Sequence, residues 1–294
     1  MIDVVIPLYN KQEKISRCLQ SVIAQKVSAN KIIVIDDGST DSSFLRAKEA
    51  LSGYKGDFEI VTTFNRGVSA ARNYGMSLAC SEFIAFLDAD DYWDSAFLEN
   101  ALKVLNNDQD KNIGLVTCFH EVRAESKVFV PNQGVKKSFS GIIDNYSKSA
   151  KKGNPVNSSK VVVRKDMLTK IGGFPENNGL TEDLYVWFRL SRLCKIYIIN
   201  KFLVTLDKSS DPSRPSRLSM KPYILSYYLD DDAFRLLDRC EVDYLRHVYI
   251  VQSLYAIRYG DFSDASRRVA MGSGRFSFLS ALLYGLAWLM SKVK

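Results

Sequence analysis

The sequence predicts an α/β fold, a mostly parallel sheet with helices on both faces, followed by a C-terminal helical region. Three observations predict it. Short, largely apolar runs (IDVVIP, KIIVID, FIAFL) recur through the first third of the chain. Between them lie segments whose apolar residues fall every three to four positions, the period of a helix face. Beyond Pro222 the apolar runs of strand length give way to the helical period alone. Strands that are apolar on both faces and alternate with amphipathic helices belong to a sheet covered on both sides.

Each element follows in order. IDVVIP opens as a buried strand, and KQEKISRCLQSVIAQ places Ile15, Leu19, Val22 and Ile23 on one helical face. KIIVID is the second strand, closed by the turn residues DDGSTDSS. A helix through Phe44 to Leu51, the strand FEIVTTF, a helix over Ser69 to Ala79 after NRG, and the strand FIAFL continue the alternation. Asp94 is expected to cap the helix SAFLENALKVL. Further on, LYVWFRLSRLC reads as an amphipathic helix opened by Thr181, and LVTL as a strand. YILSYYLDDDAFRLL, YLRHVYIVQSLYAIRYG and DFSDASRRVAM then carry helical apolar faces. The expected division is 1–215 for the α/β domain and 216–294 for the helical region.

A chain of 294 residues with 46% apolar content can bury a large core. Its five cysteines (Cys18, Cys80, Cys118, Cys194, Cys240) are scattered and form no CxxC pair, which suits a reducing compartment and disfavours a disulfide framework or zinc cluster. Two histidines, His120 and His247, are a poor basis for a histidine-rich metal site or a Ser-His-Asp triad. Met1 leads straight into a strand without a basic region and apolar stretch, so a cytoplasmic location is expected. The net charge of +7 is uneven: no acid follows Asp264, whereas Arg267, Arg268, Arg275, Lys292 and Lys294 do. The uncharged run FSFLSALLYGLAWLM lies among those basic residues. At ~1.5 Å per residue it spans about 22 Å, short of the ~30 Å hydrocarbon core. The expected partner is therefore an anionic membrane surface on which the segment lies, and not nucleic acid. A helix docked on the protein itself is the alternative.

Open parallel sheets bind ligands beyond the carboxyl ends of their strands. Pro7, Tyr9, Asp37, Asp88 and Asp90 all fall there. In EFIAFLDADDYWD, Asp88, Asp90 and Asp91 stand within four residues, directly behind an apolar run. Carboxylates this close repel one another and resist losing water, so a positive partner is expected. Alternate aspartates can direct oxygens to one hard divalent cation, which also accepts phosphate. Plainer readings exist: Asp36-Asp37-Gly38-Ser39 as a turn, Asp88-Ala89-Asp90 as a polar loop, Thr181 as a helix cap with Glu182 and Asp183 at the helix's positive end. Two acidic clusters from different strands at one sheet end favour a site.

VVIPLYNK, IDDGSTDSS, NRGVSAARNYG, EFIAFLDADD and IGGF…TEDLYVWFRL, in this order and spacing, resemble the inverting family-2 glycosyltransferases of bacterial surface-polysaccharide synthesis. The resemblance covers Ile2 to Asp207. It implies a GT-A fold, a nucleotide-sugar donor (UDP-linked), a divalent metal (Mg²⁺ or Mn²⁺), a glycan or lipid-linked glycan acceptor, and inversion at the anomeric carbon. Residue by residue, it implies that Pro7 and Tyr9 line the nucleotide pocket with the Tyr9 ring against the base. Asp37 accepts the uracil N–H, Asp88 lies near ribose and metal, and Asp90 binds the metal. Arg72 counters the diphosphate charge or pairs with a neighbouring acid. Asp183 matches the general base, with Glu182 structural. The segment DKSSDPSRPSRLS departs from the pattern, because many relatives carry a histidine there. Lys208, Arg214 or Arg217 supplies the charge instead, or the segment is only a lid or linker. A sugar nucleotidyltransferase is the competing enzyme, disfavoured because PLYNK is no glycine-rich phosphate loop. A non-catalytic nucleotide-sugar binder is disfavoured by the intact set Asp37, Asp88, Asp90 and Asp183.

Overall fold

A computed structural model describes residues 1–125, 127–176, 180–209, 220–259, 262–272 and 274–293. By contacts the chain forms two compact units, Met1–Asn177 with Val186–Ser209, and Asn178–Tyr185 with Ser210–Lys294.

The first unit opens with β1 (Ile2–Leu8), α1 (Ile15–Ile23), β2 (Lys31–Asp36), α2 (Ser43–Leu51), β3 (Asp57–Thr62), α3 (Val68–Leu78) and β4 (Phe83–Phe86). Strands β3-β2-β1-β4 run parallel side by side. Every residue of β1 and β4 is buried, as their largely apolar sequences require, and the one carboxylate among them, Asp3, accepts from Asn30, Cys80 N and Ser81. Helix α3 lies close against β1 because residue 75 is glycine: a Cβ there would collide with Val5 Cγ1.

The chain continues through β5 (Tyr92–Trp93), α4 (Phe97–Asn107), β6 (Ile113–Ala124), β7 (Lys127–Phe129), β8 (Gly141–Ile142), α5 (Tyr146–Lys152), β9 (Val161–Arg164), α6 (Lys165–Lys170), α7 (Glu182–Leu193) and β10 (Lys195–Asp207). The sheet grows in the order β4-β9-β6-β10-β5. Here it stops being parallel. Strand β9 runs antiparallel to both β4 and β6, and β5 runs antiparallel to β10, while β6 and β10 are parallel. The run LVTL is the end of the thirteen-residue β10.

Two capping expectations are corrected. Asp94 does not cap α4, which starts at Phe97. Its Oδ1 accepts from Ala96 N at 2.9 Å and so shapes the preceding turn. Thr181 does not cap α7 with its hydroxyl: Oγ1 accepts from Ile224 N at 3.4 Å, and Thr181 itself has φ +59°.

The second unit holds α8 (Tyr223–Tyr228), α9 (Asp231–Arg235), α10 (Arg239–Tyr259), α11 (Phe262–Ala270) and α12 (Ser277–Val293). The segment read as one helix over YILSYYLDDDAFRLL is two, because the Asp230 carboxylate accepts from Asp232 N and starts α9 afresh. Tyr249 of α10 donates at 2.8 Å to Val269 O of α11 and, its one proton used there, accepts at 2.8 Å from Ser280 Oγ of α12, tying three helices together. Helix α12 buries the narrow stripe Ser280, Leu283 and Ala287 and exposes Phe278, Leu282, Tyr284, Leu286, Trp288 and Leu289. Among the described residues no helix is long and apolar enough to cross a membrane.

Candidate active site

The loops after β1 and β2 hold each other beyond the carboxyl ends of their strands. Asn10, at φ +51°, accepts from Thr40 N at 2.8 Å and donates its own N–H to Ser39 Oγ at 3.0 Å. Lys11 N–H reaches Ser43 Oγ at 2.7 Å. Pro7 lies within β1 opposite Ile35, and the Tyr9 ring beside it is 45% exposed, free of the core. Asp36 and Asp37 divide the work of the DDGS turn. Asp36 Oδ1 accepts from Ser39 N, a turn contact helped by Gly38 at φ +73°. The buried Asp37 carboxylate faces the other way and accepts from Arg66 N at 2.9 Å and Gly67 N at 2.8 Å. Asp37 therefore orders the NRG loop, and any further donor must share those oxygens.

A cleft of about 400 Å³ opens beside it, lined by Asp37, Thr63, Arg66, Ala70, Tyr74 and Glu176 among others. Its far wall is fixed by α3. Asn73 bonds Phe174 in both directions at 2.8 Å, and Arg66 meets Glu176 at 2.6 Å. The IGGF segment is thus fastened to the helix that follows NRG.

The aspartates after β4 make a tight turn in which Asp91 N–H donates to Asp88 O at 3.0 Å. Arg72 pairs with Asp88, its Nη2 2.7 Å from Oδ1, and Lys11 Nζ lies 2.7 Å from Asp90 Oδ2. Of the two readings of Arg72, the pairing with a neighbouring acid is the contact seen. The Asp90 and Asp88 side chains are 25% and 32% exposed, so both carboxylates remain open to a ligand. Among the described residues no three His, Cys, Asp or Glu side chains group to hold a metal ion. The pair nevertheless suits a hard divalent cation that completes its shell with phosphate oxygens: two carboxylates from alternate residues, each with one oxygen engaged by a basic side chain and a second to offer.

Asp91 is different. It is buried, and burial, with Asp90 and Asp88 adding to it, pushes its carboxyl well above the usual range. Its oxygens are taken by Ser159 Oγ and by Asp207 N. Asp207 is held well below the usual range: burial opposes ionisation, but Ser209, Arg17 and Lys14 all bond its carboxylate. The sequence offered Asp91 as one carboxylate of three and gave no sign of Ser159, Arg17 or Asp207. Their partners lie far along the chain, and no local pattern marks them.

Asp183 lies in the first turn of α7, in the second unit, and its Oδ1 accepts from Leu184 N at 2.8 Å. Glu182 beside it is nearly buried. Pro7, Tyr9, Asp37, Arg72, Asp88 and Asp90 all belong to the first unit, where Arg72 and Asp88 are brought into contact. Asn177, Asn178 and Gly179 before α7, and Arg214 and Arg217 of the segment without histidine, lie outside the described residues.

The model of glycosyl transferase family 2 matches residues 3–153, just over half of the 294-residue chain. The chain belongs to glycosyl transferase family 2. Among curated relatives, the poly(ribitol-phosphate) beta-glucosyltransferase of Bacillus spizizenii is 40% identical over 31% of this chain and 15% of its own length. Eight such relatives are matched over only 15% to 63% of their lengths. Among solved structures, Staphylococcus aureus TarS 1-349 in complex with UDP-GlcNAc aligns with TM-score 0.70 at 17% identity, covering 99% of this chain and 88% of its own. The mannosyltransferase PcManGT of Pyrobaculum calidifontis, in complex with GDP-Man and Mn²⁺, aligns with TM-score 0.59 at 18% identity, covering 99% and 80%. These likenesses show the fold, and this family-2 chain has the GT-A architecture with a helical C-terminal region.

Proposed function

We propose that the chain transfers a sugar from a nucleotide-sugar donor, UDP-linked, to a hydroxyl of a lipid-linked oligosaccharide or surface polysaccharide, inverting the anomeric carbon. The observation that carries this reading is the placement of Asp37, Asp88 and Asp90 beyond the carboxyl ends of β2 and β4, the two strands that flank β1, with a cleft of about 400 Å³ lined in part by Asp37. The TarS complex with UDP-GlcNAc and the PcManGT complex with GDP-Man support a nucleotide-sugar donor, and the former favours uridine.

In this reading residues 1–215 are the catalytic domain and 216–294 the helical region. Pro7 and the exposed Tyr9 ring line the base pocket. Asp37 accepts the uracil N–H while keeping the NRG loop in place. Asp88 lies near the ribose, and Asp88 with Asp90 holds Mg²⁺ or Mn²⁺. The cation, when bound, neutralises charge on the departing diphosphate. Arg72 keeps Asp88 oriented and adds positive charge at the same edge. Asp183 takes the proton from the attacking hydroxyl as the new O–C1 bond forms and the C1–O bond to the diphosphate breaks.

Helix α12 suits the inner face of a membrane. Its uncharged outer side presents Phe278, Leu282, Trp288 and Leu289, with Arg275 before the helix and Lys292 and Lys294 at its end in the sequence.

The base assignment has a direct test. Asp183→Asn is expected to lower kcat on the order of 10²–10⁴-fold while UDP-sugar affinity by calorimetry stays near the parent value. Glu182→Gln is expected to cost less. Near-normal turnover in the Asp183→Asn protein assigns the base to another carboxylate.

A further inference from the structure

The turn that carries Asp88 and Asp90 is fixed from outside at nearly every polar point. Asp88 N–H donates to Ser159 Oγ at 3.2 Å, and the same hydroxyl donates to Asp91 Oδ2. Asp91 Oδ1 accepts from Asp207 N at 2.9 Å. Arg17 Nη2 spans Asp90 O at 3.1 Å and Asp207 Oδ2 at 2.6 Å. Ser159 is in turn held by Trp93 Nε1, which donates to its carbonyl at 2.6 Å. Ser159 is wholly buried and Asp91 nearly so, and neither side chain has room for a ligand of its own.

A hydroxyl offers one proton and two lone pairs. Ser159 uses its proton on the last residue of the turn and a lone pair on the first, so one oxygen sets the distance between the two ends. The side chains of Asp88 and Asp90 leave the backbone from inside that span. Their mutual placement is decided by a hydroxyl 71 residues further along the chain. Outer partners that orient the groups bound to a metal typically change metal affinity 10–100-fold when removed.

We propose that Ser159 and Asp91 are positioning residues that set the Asp88 and Asp90 carboxylates for the divalent cation. The proposal rests on the reading of Asp88 and Asp90 as the cation site. Asp91 is then the one carboxylate of DADD that does not approach the cation; it is the internal anchor of the turn.

The test is Mn²⁺ binding to the full chain with saturating UDP, followed by electron paramagnetic resonance of the free ion, with melting temperature measured alongside. Ser159→Ala is expected to weaken Mn²⁺ about tenfold or more in protein that is still folded. Asp91→Ala is expected to do the same. Asp91→Asn keeps an oxygen for Asp207 N–H and supplies an amide donor to Ser159 Oγ, so it is expected to bind Mn²⁺ more tightly than Asp91→Ala does. A role confined to folding lowers the melting temperature of Ser159→Ala and leaves its Mn²⁺ affinity at the parent value; that result overturns the proposal alone. A parent protein that binds no Mn²⁺ removes the cation reading and the proposal with it. Should Ser159→Ala not fold, Asp91→Ala carries the comparison. If neither folds, the pair belongs to the framework of the core, and the proposal fails.

Discussion

Replacing Lys160 by methionine should flatten the dependence of stability on pH between pH 7 and 9. Lys160 ends the short 3-10 turn before β9 and is wholly buried. Its ammonium nitrogen lies 3.0 Å from His120 Nδ1, 3.1 Å from Gln133 Oε1 and 3.1 Å from Asn154 O. None of these is a carboxylate. Burial pushes the Lys160 pKa down to about 7 from 10.5. Between those values the unfolded chain binds one proton more than the fold, so stability rises with pH, at most ~1.4 kcal/mol per unit. From pH 7, where half the folded molecules carry the charge, to pH 9 the gain is about 2 kcal/mol. Methionine has no proton to lose, so the variant lacks that gain. His120, pushed down to about 3 by burial and then by Lys160, titrates below the window. Cys118 and Cys194, pushed up to about 12 and about 11 by burial, oppose the trend as pH rises through the ordinary thiol value, but they do so in both proteins. Methionine also takes the Lys160 partner from His120 Nδ1 and Asn154 O, while Gln133 Oε1 keeps the His120 N–H, so the observable is the slope and not the absolute stability. Urea unfolding at pH 7, 8 and 9 measures it. Parallel curves for parent and Lys160→Met would refute the argument.

Two further outcomes are expected. Asp37→Ala leaves the Arg66 and Gly67 amides without their acceptor, at a cost of roughly 1–3 kcal/mol for each that stays buried. Calorimetry should therefore show weaker UDP binding together with a lower melting temperature; equal UDP affinity would remove Asp37 from the base pocket. Changing Phe278, Leu282, Trp288 and Leu289 to serine should leave the stripe Ser280, Leu283 and Ala287 intact and release the protein from anionic vesicles in sedimentation. Unchanged retention would place the membrane contact elsewhere.

The parallel half of the sheet was legible because β1, β2 and β4 are largely apolar runs separated by helices of clear period. The insertion of β9 between β4 and β6 was not, since VVVR has no period that tells parallel from antiparallel pairing. The same contrast divides the site. Local clusters marked Asp37, Asp88 and Asp90 as candidates, whereas the partners that fix the turn carrying Asp88 and Asp90 come from far along the chain. Arg17 and Asp207, which grip one another beside the turn, are 190 positions apart. Helix α12 shows a third limit: the stripe it buries, Ser280, Leu283 and Ala287, is no more apolar than the side it exposes. The sequence marked the segment as uncharged without marking which face is covered.

The proposed reaction is sugar transfer with inversion, by a base that acts from the face opposite the departing diphosphate. The most direct measurement needs no knowledge of the acceptor, because water can take its place slowly. Proton NMR of the full chain with Mg²⁺ and a UDP-α-sugar follows the anomer released before mutarotation scrambles it. The β anomer should appear first, at a rate that excess EDTA abolishes. Release of the α anomer first, or an undiminished rate in EDTA, would contradict the account.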